Sequence, residues 1–401
     1  MRIVIAPDKF KGSLSAPEVC AHLEKGLQRG AGGNLEVIRI PVADGGEGTL
    51  DAAVGSGFTR RSAVVAGPTG EPVTAEFAVR GNEAVIEMAA ASGLALLPAS
   101  VLVDGRPGPA AAATATSMGT GQLIRAALDA GCNRIILGVG GSANTDGGAG
   151  VLQGLGARLL DAAGNDLPAG GAALARLDRI DFSGFEPRLK DTRFVLASDV
   201  DNPLLGPQGA AAIFGPQKGA TQQDVGMLDA ALARFVEVLA REIGSEGPYN
   251  RAFKAAEAPG AGAAGGVGYA AIAVLAATRR PGIDVVLEFT GLAERLAGAD
   301  LVITGEGSLD EQSLLGKTPM GVARAAAAQG VPVVAVCGRS TLAAAAAGFE
   351  DVYALTELES NVDRCIAEAA PLLEQLGTQI SGRLAATTLS RSATTKEDLH
   401  V

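Results

Sequence analysis

The stretch Arg134–Gly150, RIILGVGGSANTDGGAG, decides how the chain is read. Ile135, Ile136, Leu137 and Val139 form a short apolar run of the kind that buried strands show. Gly138, Gly140 and Gly141 follow, then the polar Ser142, Asn144, Thr145 and Asp146, then Gly147, Gly148 and Gly150. Val151, Leu152 and Leu155 resume at helical spacing. The order is strand, glycine-rich turn, helix start. Such a turn lets backbone approach a ligand closely, and the N–H groups at a helix start favour anions. A tight turn that only packs a helix on a sheet carries the same pattern.

The stretch has an echo. Asp44-Gly45-Gly46-Glu47-Gly48 and Asp146-Gly147-Gly148-Ala149-Gly150 are both DGGxG between a strand and a helix. Two helix starts of this kind can both serve an anion, or their aspartates can be plain N-caps. The same β-loop-α alternation fills both ends of the chain. Strands are expected at 2–8, 36–42, 59–66, 193–198, 301–304, 331–336 and 351–355, and a hairpin at 73–79 and 83–88. Helices are expected at 16–29, from 49, at 121–130, 147–156, 222–243, 267–278 and 320–329, and from 361 to about 384. Ser15-Ala16-Pro17-Glu18 carries a capping box with proline in the first turn. Residues 97–113 read as loop, and Gly67-Pro68-Thr69-Gly70 as a domain boundary. The texture changes between the two ends. The expected fold is therefore α/β: a doubly wound domain formed by both termini, with a second domain inserted into it.

Composition narrows the chemistry. The 401 residues are 47% hydrophobic but only 3% aromatic, with 55 glycines and no tryptophan, so the core is built of Ala, Val, Leu and Ile. A net charge of −11 argues against nucleic acid and anionic membrane as partners. The four cysteines form no CxxC pair, which points to a reducing, cytoplasmic setting. The first residues are too short and too quickly polar for a signal peptide. Ala258–Thr278 is uncharged, but Pro259 and its glycines leave only Val267–Thr278 continuously helical, too short to span a bilayer. With only two histidines, one in a helix and one penultimate, His-based triads and zinc sites fall away. Catalysis must use Asp, Glu, Lys, Arg, Ser, Thr and backbone N–H groups.

Open parallel sheets gather ligands at the carboxyl ends of their strands. Asp8 and Lys9, Asp44 and Glu47, Asp146, Asp199 and Asp201, Glu306 and Asp310, and Arg339 all fall at such ends. Lys9 and Lys11, flanking Phe10, suit a phosphate or carboxylate. Asp199, Asp201 and Asn202 form an oxygen-donor group before Pro203 that can hold Mg²⁺ or accept a hydroxyl proton; an Asx turn would use the same residues. Glu306 and Asp310 read similarly. Gly316-Lys317-Thr318 looks like the end of a P-loop, but Glu311 stands where its first glycine belongs and Pro319 follows. Gly260-Ala-Gly262-Ala-Ala-Gly265 fits GxGxxG with no strand before it. Together the parts are those of phosphoryl transfer: lysines and N–H groups for phosphates, carboxylates for Mg²⁺, and a carboxylate for the alcohol proton.

The segments APDKFKGSLSA (6–16), PVADGGEGT (41–49), EMAAASGL (87–94), GVGGSANTDGGAG (138–150), SDVDNPLLGPQGAA (198–211), FGPQKGA (214–220), GAGAAGGVGYA (260–270), TGEGSLDEQSLLGKTP (304–319) and VAVCGR (334–339) closely resemble the bacterial glycerate kinase family. The resemblance runs in order from residue 2 to about 375. It implies phosphorylation of D-glycerate by ATP with Mg²⁺, usually at the 2-hydroxyl. It also implies a two-domain α/β fold with a flavodoxin-like part, which fits the split read from the alternation: a discontinuous flavodoxin- or Rossmann-like parallel-sheet domain over 1–70 and 285–386, and an inserted α/β domain over 71–284. The Ser/Thr-rich composition of 387–401 gives a disordered tail, and the active site is expected in the interdomain cleft.

On this reading Asp199 is the base, and Lys9 holds the transferred phosphate or the substrate carboxylate. Asp8, Lys11, Asp44, Gly45, Gly46, Ser142, Asn144, Asp146, Asn202 and Arg339 bind substrate. Gly140, Gly141, Gly147, Gly148, Lys218, Gly305, Gly307 and Lys317 hold the nucleotide, and Asp201, Glu306 and Asp310 are candidate metal ligands. The chain departs from the family pattern at Asn144-Thr145, where Thr-Asn is usual, and at Met118, Gln122 and Ser308. A kinase for another small hydroxy acid, a 3-phosphoglycerate-forming kinase, and a non-catalytic anion-binding protein stay open, as does a homodimer.

Overall fold

Strand Arg2–Pro7 is buried from Ile3 onward, as a strand covered on both faces must be. In the computed structural model, which describes residues 1–31, 35–244, 251–311, 313–344 and 348–397, it is an interior strand of a five-stranded sheet. The order across that sheet is Asp351–Ala354, Val333–Ser340, Leu301–Leu309, Arg2–Pro7, Glu36–Arg39, and every neighbouring pair is parallel. Numbered along the chain, these strands run 2-1-3-4-5, the flavodoxin-like order. The topological switch lies between Arg2–Pro7 and Leu301–Leu309, in register from Ile3 opposite Leu301 to Pro7 opposite Gly305. Ile3, Ile5, Ile303 and Val336 pack on Leu23 and Leu27 of helix Ala16–Gly30 and on Leu373 and Leu376 of helix Ala369–Glu397. Glu18 accepts from the Ser15 N–H at 2.8 Å and so closes that first helix's capping box.

The chain divides into two units, one of Met1–Asp44, Asp51–Ser56 and Ile283–Val401, the other of Gly45–Leu50 and Gly57–Gly282. The second unit holds a six-stranded sheet in the order Thr278–Arg280, Arg193–Ala197, Arg134–Gly138, Glu83–Glu87, Pro72–Arg80, Thr59–Ala66. The first four strands are parallel, and the last two add as an antiparallel meander. Ile86, Ile135, Leu137 and Leu196 bury one face of the sheet. A helical layer around Leu232, Phe235 and Tyr269 forms a second core. Among the described residues no helix is long and apolar enough to cross a membrane.

Some boundaries differ from those expected. The division at 70/71 falls in the turn of the hairpin Thr59–Ala66 and Pro72–Arg80, because Gly67-Pro68-Thr69-Gly70 reverses the chain within one sheet. Strands Leu301–Leu309 and Val333–Ser340 run past 304 and 336, since their later halves pair with each other, Glu306 opposite Cys337 and Ser308 opposite Arg339. The helix expected at 267–278 stops at Ala273, and Thr278–Arg280 becomes an edge strand. Residues 97–113 include a short helix, Pro109–Thr114. The last helix continues to Glu397, and of the tail expected over 387–401 residues 398–401 lie outside the described residues.

Candidate active site

In the first unit the chain leaves the sheet at Asp8, on the switch-point side of strand Arg2–Pro7. Phe10, only 3% exposed, sinks into the core and anchors the loop, whose Phe10 N–H donates to Leu14 O at 2.8 Å. That anchor leaves Lys9 half-buried and Lys11 exposed. Gly307 keeps the loop close, since a Cβ there would lie 3.2 Å from the Lys11 nitrogen.

Asp8 is held at both oxygens. Oδ2 accepts from Thr318 Oγ1 at 2.7 Å, and Oδ1 accepts from the Lys9 N–H at 2.7 Å. Burial, and then the nearby Asp44 carboxylate, push its pKa up to about 7, against the pull of the Thr318 and Lys9 contacts. Near neutral pH such a carboxyl can either give or take a proton. Glu306 is raised too, first by burial, with Ser313 and Lys317 lowering it and Asp310 and Asp44 raising it. Lys317 is the N-cap of helix Thr318–Ala327 and Pro319 lies in its first turn, so the failed P-loop fragment aims its threonine at Asp8. Arg339 is exposed and donates from Nε to Ser308 Oγ at 3.1 Å. Gly305 lies so close to the neighbouring strand that a Cβ would meet Val336 O at 2.0 Å, so it serves the sheet.

The donor set suits magnesium. Glu306 Oε1 is buried without a hydrogen-bond partner, and Asp310 and Asp44 are among the charges that act on it. Among the described residues no group of three or more His, Cys, Asp or Glu is placed to hold a metal by itself. Mg²⁺ needs no such cage, because it commonly takes one or two carboxylates and completes its shell with water and phosphate oxygens.

In the second unit the parallel strands end in glycine against glycine. A Cβ on Gly138 would lie 2.5 Å from Gly45 O, one on Gly140 2.8 Å from Gly46 Cα, and one on Gly45 2.8 Å from Gly282 Cα. Asp199, exposed just after strand Arg193–Ala197, accepts from the Gly282 N–H at 2.9 Å and so sits at this junction. Its neighbours turn elsewhere. Asp201 pairs with Arg279 at 2.7 Å, and Asn202 donates to Gln208 O at 2.8 Å. The oxygen-donor group that is contiguous in sequence does not share one focus.

The Arg134–Gly150 stretch divides in two. Gly140 is half-buried and Gly141 exposed, while Ser142–Gly150 is buried. Asp146, 1% exposed, accepts from Ser117 N at 2.8 Å, from Ser117 Oγ, from Asn144 Nδ2 at 2.8 Å, from Gly148 N at 3.0 Å and from Gly150 N at 3.2 Å. Gly147 N donates to Gly265 O at 2.9 Å, and Val151 N to Ser117 Oγ at 3.1 Å. The helix start that looked open to an anion is satisfied from within. Lys218 is also inside, 1% exposed, with Nζ donating to Ser142 Oγ at 2.9 Å and to Asn144 O. Burial pushes its pKa down to about 7, with Asp146 pulling it up. Ser142, Asn144, Asp146, Gly147, Gly148 and Lys218 are thus the framework of the loop, and Gly140 and Gly141 its open face.

Residues outside the expected set complete both clusters: Thr318 and Ser313 in the first unit, Ser117 and Gly282 in the second. Thr318 was marked by its place in the GKT fragment. Ser117 and Gly282 carry no motif of their own.

Residues 3–385 match the sequence model described as the glycerate kinase family. The glycerate kinase of Bacillus subtilis (strain 168) is 44% identical over 390 residues, covering 96% of this chain and 98% of that protein. The glycerate 2-kinase of Escherichia coli (strain K12) is 46% identical over 344 residues, 85% of this chain and 86% of that protein. A crystal structure from Salmonella typhimurium LT2, assigned as glycerate kinase 2, superposes with a TM-score of 0.82 at 41% identity over 97% of this chain and 99% of that one. Matches of this extent, over nearly the whole chain and with the same fold, show the family: the chain belongs to the glycerate kinase family.

Proposed function

We propose that the chain transfers the γ-phosphoryl group of ATP to the 2-hydroxyl of D-glycerate, giving 2-phosphoglycerate and ADP, in the cytoplasm. The observation that carries this reading is the carboxylate group at the switch point: Asp8 fixed by Thr318, with Asp44, Glu306 and Lys317 acting on the same patch. Phosphoryl transfer is chiefly positioning and charge stabilisation, and these are the groups it needs. The relative named glycerate 2-kinase supports the 2-hydroxyl.

Asp199 receives the hydroxyl proton as the glycerate oxygen bonds to the γ-phosphorus and the bond to the β–γ bridging oxygen breaks. Lys9 and Lys11 hold the substrate carboxylate or the transferred phosphate, and Gly140 and Gly141 offer backbone N–H groups beside Gly45 and Gly46. Glu306 with Asp310 would hold Mg²⁺, which when bound offsets the phosphate charge. The test is purified protein with Mg²⁺, ATP and D-glycerate, the product identified by NMR. 2-Phosphoglycerate is expected; 3-phosphoglycerate would move the acceptor, and no ADP across a panel of hydroxy acids would end the kinase assignment.

A further inference from the structure

Lys218 matches the usual picture of a phosphate-binding lysine in sequence and contradicts it in place. It closes the turn Pro216–Lys218, and the next residue, Gly219, is left-handed at φ +97°, where a Cβ would meet Pro107 O and Gly108 O at 2.4 Å. The backbone is therefore pinned, and the side chain runs inward. Its Nζ bonds Ser142 Oγ and Asn144 O, two residues of the loop that ends in the exposed Gly141. Asn144 passes the connection on, donating from Nδ2 to Asp146 Oδ1 and to Ala264 O at 3.1 Å. Asp146 in turn gathers Ser117, Gly148 and Gly150. A buried cation and a buried anion thus grip one loop from its two ends, with Asn144 between them. Behind the loop, Ala264, Gly265 and Gly266 are all left-handed, and Gly265 O takes the Gly147 N–H.

We propose that Lys218 is a positioning residue, a tethered internal cation that holds the Gly140–Gly150 loop in its binding shape without touching nucleotide. The proposal rests on the reading of Gly140 and Gly141 as substrate-facing donors. A lysine ammonium here takes the place that a bound monovalent cation would take among oxygen ligands. The loop therefore keeps its form before any substrate arrives. Removing the ammonium frees Ser142 Oγ and Asn144 O and lets Gly140 and Gly141 drift; a displacement of about 1 Å in a positioning element can cost on the order of 100-fold in rate.

The test uses the full chain as Lys218→Ala and Lys218→Met. For Lys218→Ala, kcat with ATP and D-glycerate is expected to fall about 100-fold while the KM for ATP stays within about threefold. Added ammonium or methylammonium should restore most of the lost rate in Lys218→Ala and none in Lys218→Met, whose side chain fills the space. A raised KM for ATP at unchanged kcat would mean direct nucleotide contact and overturn the proposal, as would an alanine variant within twofold of the parent rate. Amide hydrogen exchange on Lys218→Met gives a second readout that needs no activity and no rescue. Exchange at Gly140–Gly150 should rise about tenfold, with strand Glu83–Glu87 unchanged; unaltered exchange in the loop would sink the lock. Parent protein inactive on glycerate but with this exchange pattern in the variant would refute the substrate reading and leave the lock standing.

Discussion

Asp44-Gly45-Gly46 and Asp146-Gly147-Gly148 share a motif, a place after a strand and a place before a helix, yet their aspartates do different work. Asp146 is 1% exposed and accepts from its own loop, from Asn144 and from Ser117. Asp44 is half-buried, belongs to the first unit, and its charge helps raise both Asp8 and Glu306. The division between units falls directly after it, so Gly45 and Gly46 pack with Gly138 and Gly140 in the second unit while their aspartate serves the first. One turn was made rigid at the expense of its anion-binding N–H groups; the other keeps its carboxylate in electrostatic play.

The largest effect should come from breaking the rigid turn. Asp146→Ala leaves the Gly148, Gly150 and Ser117 donors without their acceptor and removes the charge that favours the Lys218 ammonium. Loss of one buried charged partner costs about 3–5 kcal/mol. Differential scanning calorimetry should show a transition lowered by roughly 10 °C. If Asp146→Ala melts like the parent, the carboxylate is not the anchor of the loop.

Asp44→Asn should invert that pattern. Removing a charge that disfavours ionised Asp8 and Glu306 should leave the melting temperature unchanged or slightly higher. The kcat should fall about 100-fold if the carboxylate group is the reacting patch. A kcat near the parent value would put the chemistry elsewhere, and an equal loss of stability would erase the distinction between the two turns.

The sequence carried the echo but not this difference. The alternation of strand, loop and helix was plain in RIVIAPD and RIILGVG, because buried parallel strands leave short apolar runs, and in EVIRIPV, whose strand is the half-exposed sheet edge, from its apolar residues before Asp44-Gly45-Gly46. The loops after the strands, and so Asp8, Asp44 and Asp199, followed from that, whereas Glu306 lies inside its longer strand. What an aspartate does next depends on what stands behind it. Ser117 lies in another helix start, and the left-handed Ala264–Gly266 turn that backs Asn144 comes more than a hundred residues later. The Gly260–Gly265 match that resembled a dinucleotide fingerprint is part of this backing turn. Edge strand Thr278–Arg280 escaped notice because three residues, two of them arginine, give no apolar alternation. Thr318 was visible as the end of a P-loop fragment, but its partner Asp8 lies 310 positions away.

Thr318 offers a finer test of the electrostatic turn. Thr318→Val removes the hydroxyl that fixes Asp8 and lowers its pKa. The kcat at pH 7 should fall about tenfold, and the limb of the rate profile that follows Asp8 should move to higher pH. Thr318→Ser, which keeps the donor, should restore both. Equal losses in the valine and serine variants would indicate that the methyl group matters and the hydroxyl does not.

The smallest expected effect is on stability as a function of pH. Asp8 is raised from 3.8 to about 7 on folding, so between those values the native state retains a proton that the unfolded chain has released. Its contribution to stability is complete below about 3.8 and is lost as pH rises through about 7. Asp8→Asn cannot release that proton. The melting temperature of the variant minus that of the parent should therefore climb by a few degrees between pH 4 and pH 8 and then level off. A flat difference across that range would mean that Asp8 ionises normally in the folded protein, so that Asp44 and burial do not hold a proton at the switch point. The same scan on Asp44→Asn separates the two causes. Without the neighbouring charge the Asp8 midpoint should move down, and the part of the shift that survives is the part due to burial.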